Sequence, residues 1–390
     1  MKWSFVPVEA IKGSARNALV GGPFGSDLTT KHYTDDGVPV IRGGNLPDDS
    51  KFRDDDFVFV SDEKADALSA NTALPGDLVF TQRGTLGQVG LIPKAPQYPR
   101  YVISQSQMKL TVDAAKTDAE FVYYFFRLPS TVEAIKNHIS SSGVPHINLG
   151  VLRRFKIPLP PLDIQKSIAA TASAYDDLME NNRRRMALLE ESARLLYREW
   201  FVHLRFPGHE HTRLTDGVPQ GWERVPLGEV MTLQRGHDLP SQDRIEGDVP
   251  IVSSSGITGY HDKKKADAPG VVTGRYGTLG QVYYIDRDYW PLNTALYVTD
   301  FKGSPPLFIL HLLKHTLESI QSDKAAIPGL NRNVVHSMKV LRPPSPLRNS
   351  FGDFAEPVYR QISTLAQQNQ KLRTARDLLL PRLMSGEIAV

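Results

Sequence analysis

The 390-residue sequence contains no cysteine. That absence excludes disulfide frameworks, cysteine-ligated zinc, iron–sulfur clusters and thiol nucleophiles, and it points to a reducing, intracellular setting. No stretch approaches the roughly 18 apolar residues of a membrane span, and the opening MKWSFVPVEAIK lacks the unbroken apolar run of a secretion signal. A cytoplasmic protein with no membrane partner is expected. Charge of one sign is also scarce: 46 Lys plus Arg stand against 43 Asp plus Glu, a net +3. This balance is compatible with an anionic partner but too mild to demonstrate one. The motifs of two chemistries are missing as well. There is no G-x-x-x-x-G-K-[ST] loop to cradle nucleotide phosphates. Nor is there the Asn/Asp-Pro-Pro-aromatic loop or the Gly-rich turn after a strand that an adenine methyltransferase needs.

What is present is a folded chain written twice. With 41% apolar and 23% charged residues the composition is that of an ordinary globular protein, and the length suits two or three domains. Residues 84–89 read GTLGQV, and residues 277–282 read GTLGQV again. Flanking segments agree in the same order: Trp3-x-x-Val6-Pro7 with Trp222-x-x-Val225-Pro226, then Val38-Pro39-Val40-Ile41 with Val249-Pro250-Ile251-Val252. Further on, Val144-Pro145-x-Ile147-Asn148 parallels Ile327-Pro328-x-Leu330-Asn331, and Lys156-Ile157-x-x-Pro160-Pro161 parallels Lys339-Val340-x-x-Pro343-Pro344. An ordered set of matches is the mark of a duplicated unit. The offset falls from 219 at the tryptophans to 183 at the prolines, so the second copy has lost about 36 residues between shared landmarks. Two different variable surfaces on one scaffold and neutral drift in loops both account for that loss.

Within each copy the first part is punctuated by Gly and Pro into short β-branched runs, which predict strands at Val38–Ile41, Asp77–Phe80, Gln88–Ile92 and Met108–Val112. Helices are predicted at Glu120–Leu128 and at its counterpart Leu307–Lys314. After each Pro-Pro pair the period changes. From Ile168, alternating steps of four and three meet Ala172, Tyr175, Met179, Asn182, Met186, Leu189, Ala193, Leu196 and Trp200. The same steps from Phe351 meet Ala355, Val358, Ile362, Leu365, Asn369, Leu372, Arg376, Leu379 and Leu383. Both are heptad seams of the kind two packed helices need. An intramolecular pair is preferred over an oligomerisation zipper because one chain carries both seams. An antiparallel pairing brings Asn182 opposite Asn369, a polar layer that fixes register at a cost in stability. Arg376 is expected to snorkel its head to water, and Pro357 to kink the second helix or mark its start. The first seam spans a rod of roughly 48 Å, enough to hold two globular units at opposite ends about one 34 Å turn of duplex apart.

Several runs then become specific: Gly22-Pro23-Phe24-Gly25-Ser26-Asp27-Leu28, Arg83-Gly84-Thr85-Leu86-Gly87, Ile157-Pro158-Leu159-Pro160-Pro161-Leu162-x-x-Gln165, and Leu378-Leu379-Leu380-Pro381-x-Leu383-x-Ser385-Gly386-Glu387-Ile388. From Trp3 to Ile388 the chain resembles the specificity (S) subunit of type I restriction-modification systems. The second copy departs from the pattern. It has Ser345-Pro346-Leu347-Arg348 in place of Leu162-Asp163-Ile164-Gln165, and nothing close to PFGSDL. The resemblance implies a non-catalytic, DNA-binding subunit of the α+β class. Two similar mixed α/β target recognition domains would be separated by two long helices forming an antiparallel coiled coil with pseudo-twofold symmetry. The expected segments are target recognition domain 1 at 1–161, a spacer helix at 162–205, target recognition domain 2 at 206–344 and a C-terminal helix at 345–390. Each domain would read half of a bipartite, asymmetric site in double-stranded DNA. The helices would hold two modification (M) subunits, and the assembly can recruit restriction (R) subunits. The chain itself would hold no cofactor, with S-adenosylmethionine and ATP on those partners.

Candidate contacts follow from chemistry and position. Reading base edges requires Arg, Asn, Gln or hydroxyl side chains near turns, which in the first copy singles out Arg42, Asn45, Gln82, Arg83 and Thr85. The matching places in the second copy hold Ser253, Ser254, Arg275, Tyr276 and Thr278. Lys31, Arg332 and the run Lys263-Lys264-Lys265 are candidates for sequence-independent phosphate contact. Ordinary loop divergence and solvated charge are the plain alternatives for each. Arg183-Arg184-Arg185 spreads around the helix and is a solvated face, a DNA backbone contact or a partner contact. Pro47-Asp48-Asp49-Ser50-Lys51 has its acids compressed into one loop, unlike carboxylates that converge on a metal from separate positions. His209-Glu210-His211 and the His311, His315 pair have ligand spacing but no evident third ligand, so no metal site is expected. The competing reading is an adaptor that does not bind DNA and uses its duplicated domains for protein partners; salt-dependent binding to duplex separates the two.

Overall fold

The computed structural model describes residues 3–137, 146–275, 280–322 and 329–390. They form two compact units, residues 1–182 with 368–390, and residues 183–367. The boundaries cut through both long helices, so each unit combines a globular part with half of each helix.

In the first unit, strand Phe5–Pro7 pairs antiparallel with Lys156–Pro158 and closes the globular part just before the first long helix. A four-stranded antiparallel sheet has the order Leu19–Gly21, Gln107–Leu110, Leu78–Thr81, Val89–Leu91. A second, mixed sheet has the order Tyr33–Thr34, Val58–Val60, Val38–Ile41, Tyr101–Ile103, Thr72–Ala73. Its central strand Val38–Ile41 is buried at all four residues. Pro39 is tolerated there because parallel pairing with Tyr101–Ile103 begins only at Val40, beyond the missing N–H. Helix Ala119–Arg127 starts where the Asp118 carboxylate accepts from Phe121 N at 2.9 Å, a cap of the usual kind. The run from Phe121 to Phe126 is entirely buried, as expected of a helix apolar all round.

The second unit repeats this plan. Glu223–Pro226 pairs with Lys339–Arg342. The antiparallel sheet has the order Thr232–Arg235, Ala295–Asp300, Gly270–Gly274, Val282–Ile285, and Val249–Ser253 lies between Gly256–His261 and a parallel neighbour, Trp290–Pro291. Part of the loss falls in one connector. In the first unit sixteen residues join Val38–Ile41 to Val58–Val60, whereas two join Val249–Ser253 to Gly256–His261. The predicted strands and helices all appear, with ends shifted by at most two residues, except that Leu307–Lys314 extends to a helix over Pro306–Ser322.

The long helices are Leu162–Tyr197, continued by a wider turn at Arg198–Val202, and Ser345–Met384. Every seam position of both is buried or half-buried. In the first unit Asn182 Nδ2 donates to Asn369 Oδ1 at 2.9 Å, and Asn369 Nδ2 donates to Met179 O at 3.1 Å. Six residues earlier in the first helix, Asp176 binds Arg376, so the halves run antiparallel. In the second unit Phe351 packs on Tyr197, Trp200 and Phe201 with ring centroids 5.6–6.4 Å apart. Two expectations need correction. Arg376 does not snorkel; its guanidinium is half-buried between Asp176 and Asp377, and Asp176 also accepts from Tyr124 Oη at 2.7 Å. Pro357 does not mark the start of the second helix, which begins at Ser345 and runs through it.

The start of each long helix is bolted to its own globular part. Gln165 is fully buried, accepting from Thr117 Oγ1 at 2.7 Å and Asp118 N at 2.9 Å and donating to Pro160 O at 2.8 Å. Arg348, its counterpart by sequence, is 7% exposed and donates to Ser304 and Ser345. The motif differs in its residues but keeps a buried polar bolt.

Candidate nucleic-acid interface

The GTLGQV turn of the first unit leaves strand Leu78–Thr81 and returns at Val89–Leu91. Leu86 is buried and pins its centre. Gly87 has φ +91°, and a Cβ there would lie 2.7 Å from Val132 Cγ1, so both backbone and space require glycine. Leu86 thereby pushes Arg83 and Thr85 outward; both are exposed, and Gln82 is half-buried. None of the three forms a side-chain hydrogen bond with another described residue.

The backbone at this turn has the same fastening in both units. Gln82 N donates to Ser106 O at 2.7 Å and Gln82 O accepts from Ile147 N at 3.1 Å; Arg275 N donates to Thr294 O at 3.0 Å and Arg275 O accepts from Leu330 N at 2.8 Å. Gln82 and Arg275 therefore occupy one slot of a shared frame. A second slot is defined by Ser104 N donating to Ile41 O at 3.0 Å and Leu292 N donating to Val252 O at 2.8 Å, which makes Arg42 and Ser253 equivalent.

Around Arg275 lies an open recess of about 500 Å³ lined by Arg235, Arg332, Asn331 and Asn333, with no carboxylate among its described lining residues. Arg275 Nη1 and Arg235 Nε both donate to Asn293 O, at 3.2 and 3.4 Å. The clustering of three guanidinium groups makes the recess electropositive, suited to phosphate or to the acceptor edge of guanine. Arg235 and Asn333 escaped the sequence reading because no repeat match marks them. Asn331 was visible only as a landmark, and its side chain caps the next helix by accepting from Asn333 N at 2.9 Å.

The other candidates differ in what their side chains already hold. Asn45 is 2% exposed; its amide donates to Arg53 O at 3.2 Å and Asp55 O at 2.9 Å and accepts from Arg42 N at 2.9 Å. It builds the long connector and has nothing left for a base. Ser253 is buried and spends its hydroxyl on Gly256 O and Ser255. The ammonium of Lys264 sits 2.7 Å from Asp267 and 2.6 Å from Asp288. Hydrogen bonds to these carboxylates raise its pKa, so its charge is cancelled inside the unit and it is unsuited to phosphate. Lys265 lies over the Trp290 ring at 5.2 Å, a cation–π contact that leaves its charge in place. Lys263 and Lys31 are exposed without an ion partner among the described residues, and Arg332 is exposed at the recess. Arg42 is half-buried and donates from Nη2 to Asp56 O at 3.1 Å. Ser254 lies against Gly274, beside Arg275. Tyr276 and Thr278 lie outside the described residues.

Two further motif residues, Lys51 and His311, have structural roles. Lys51 Nζ donates to Glu120 Oε1 at 3.1 Å and Ser173 Oγ at 2.8 Å, fastening the PDDSK loop to two helices. His311 is 2% exposed, stacked on Tyr197 and 3.2 Å from the Tyr359 hydroxyl. Among the described residues no cluster of His, Asp and Glu has metal-ligating geometry, and no helix is long and apolar enough to cross a membrane.

A family model for the type I restriction modification DNA specificity domain matches residues 26–191 and again residues 219–374. The type I restriction enzyme MjaIX specificity subunit of Methanocaldococcus jannaschii is 24% identical over 343 residues, covering 81% of this chain and 78% of that one. The type I restriction enzyme HindI specificity subunit of Haemophilus influenzae is 21% identical over 377 residues, covering 74% and 81%. Among solved structures, the S subunit of a type I restriction-modification system from M. genitalium resembles this fold with a TM-score of 0.58 at 17% identity, over 98% of this chain and 96% of that one.

Proposed function

Because the chain belongs to the family of type I restriction-modification specificity subunits, we propose that each unit reads one half of a bipartite, asymmetric site in duplex DNA and that the long helices set the distance between the halves. In this reading the first unit reads through Gln82, Arg83 and Thr85, and the second through Arg275 and the residues beside it. Lys31, Lys263 and Arg332 contribute phosphate contacts that position the units without reading sequence. The chain catalyses nothing itself. Two modification subunits dock on the helices, bring S-adenosylmethionine and methylate adenine, and restriction subunits add ATP-driven cleavage.

One observation carries the reading: Gln82 and Arg275 stand in the same backbone slot, held by the same pair of hydrogen bonds. Gln pairs bidentately with adenine and Arg with guanine. An identical frame with exchanged polar tips is what two modules reading different bases require.

Single-molecule sequencing of DNA methylated by the chain with its modification subunits tests this. Gln82→Arg should alter one half-site and leave the other half and the spacing intact. Removing four residues from each long helix, in facing layers, should shorten the spacing by roughly 6 Å, about two base pairs, with both half-sequences unchanged. A deletion that rewrites a half-site at constant spacing refutes the proposal, as does duplex binding without salt dependence.

A further inference from the structure

Between two buried anchors, Pro23 and Leu28, the first unit holds Phe24 at 89% exposure, more than any other large apolar side chain among the described residues. The loop is held from several sides. Gly22 N donates to Gln107 O at 2.8 Å and Asp27 N to Phe24 O at 3.0 Å. The Gln105 amide donates to the carbonyls of Gly25 and Leu28, and Asn71 Nδ2 donates to Gly21 O at 2.7 Å. A Cβ on Gly22 would fall 2.0 Å from Ser104 O, so the root of the loop is pressed against the segment Ser104–Gln107. The same segment fastens Gln82 through Ser106 O. Phe24 and the Gln82–Thr85 turn are thus mounted on one edge of the unit.

The second unit lacks the ring. Gly236 stands in the place of Gly22: its N–H donates to Ala295 O at 3.1 Å, and a Cβ there would lie 2.2 Å from Leu292 O. Two residues on, Asp238 replaces Phe24 and its carboxylate accepts from Asn293 Nδ2. A protein partner engaging both units alike would need the same residue twice. The difference instead accompanies the exchange of Gln82 for Arg275, which points to a partner whose two halves differ.

We propose that Phe24 is a wedge. On binding, its ring enters the duplex between adjacent base pairs of the half-site read by the first unit, unstacking one step and bending the DNA there. Apolar side chains on braced loops act in this way, and pyrimidine–purine steps open most easily. The asymmetry makes the first half-site sensitive to DNA deformability as well as to base edges. This rests on the reading of the units as duplex readers.

The test uses the full chain with its modification subunits and duplexes carrying the methylated site, with 2-aminopurine placed in turn at every position of both half-sites. The wild type should brighten one step in a single half-site. Phe24→Ala should lose that signal and bind about ten-fold more weakly, the loss expected for one aromatic stacking contact. Phe24→Trp should keep both. Extrusion of a target adenine by the modification subunits brightens that base in either half-site and survives Phe24→Ala. If wild-type binding is salt-dependent and site-specific but Phe24→Ala matches it in fluorescence and affinity, the wedge is refuted and the duplex reading stands. If the wild type shows no salt-dependent binding to these duplexes, the duplex reading falls and the wedge with it.

Discussion

The asparagine layer between the helices of the first unit makes a prediction whose sign is unusual. Asn182 is 8% exposed and donates to Asn369 at 2.9 Å, while half-buried Asn369 also donates to Met179 O at 3.1 Å. Asn369→Leu removes the acceptor of a buried amide, a penalty of about 1–3 kcal/mol, and the leucine it adds lies at a half-buried position, where it regains less than the roughly 1.5–3 kcal/mol of full burial. A net loss of about 1 kcal/mol is expected. Asn182→Leu strands only an Asn369 oxygen that water can reach, and it gains a buried leucine; it should be close to neutral. The double variant strands nothing and extends an apolar seam, so it should exceed the wild type by about 1–2 kcal/mol. Hydrogen exchange of the helical amides from 175 to 186, measured across urea concentrations on the full chain, reports the four stabilities. A double variant whose losses simply add would refute the argument, because the pair would then contribute stability rather than restrict register.

The lysine run separates free charge from spent charge. Lys263→Ala should lower the salt dependence of duplex binding by nearly one unit in the log–log slope, whereas Lys264→Ala, whose ammonium is held by Asp267 and Asp288, should leave the slope unchanged; equal slopes for the two variants would refute the distinction. His311 links the second unit to pH. Burial, and then Lys314 and Arg194, push its pKa down to about 3, so below pH ~6.5 the unfolded chain takes up a proton that the folded unit refuses. Stability present above that pH is therefore lost as pH falls, by about 1.4 kcal/mol per unit and about 2 kcal/mol by pH 5. In urea unfolding at pH 7.5 and 5.0, His311→Gln should remove that increment, and an unchanged pH difference would refute its assignment to His311.

Much of the architecture was legible before any coordinates. Repeats, Pro-Pro punctuation and heptad seams are properties of order and period along the chain, and burial of an apolar stripe follows directly from period. The opposition of Asn182 and Asn369 could be deduced because an antiparallel seam leaves no other partner at that level. The candidate site was legible only as a neighbourhood, since turns reveal which residues lie near an edge but not what each side chain already holds.

Folding decided the rest. Asn45 meets Arg53 and Asp55 only once the connector closes; Lys264 meets Asp288 only across a sheet; Arg376 meets Asp176 only across two helices. These are pairings of polar groups outside any helix or strand period, and which donor finds which acceptor depends on the path of the backbone rather than on residue type. By itself the sequence determined the duplicated plan, the paired helices and the family. The tertiary structure decided which polar tips remain available on that plan, because a buried or paired group is committed to the fold and only an uncommitted one can be offered to a ligand.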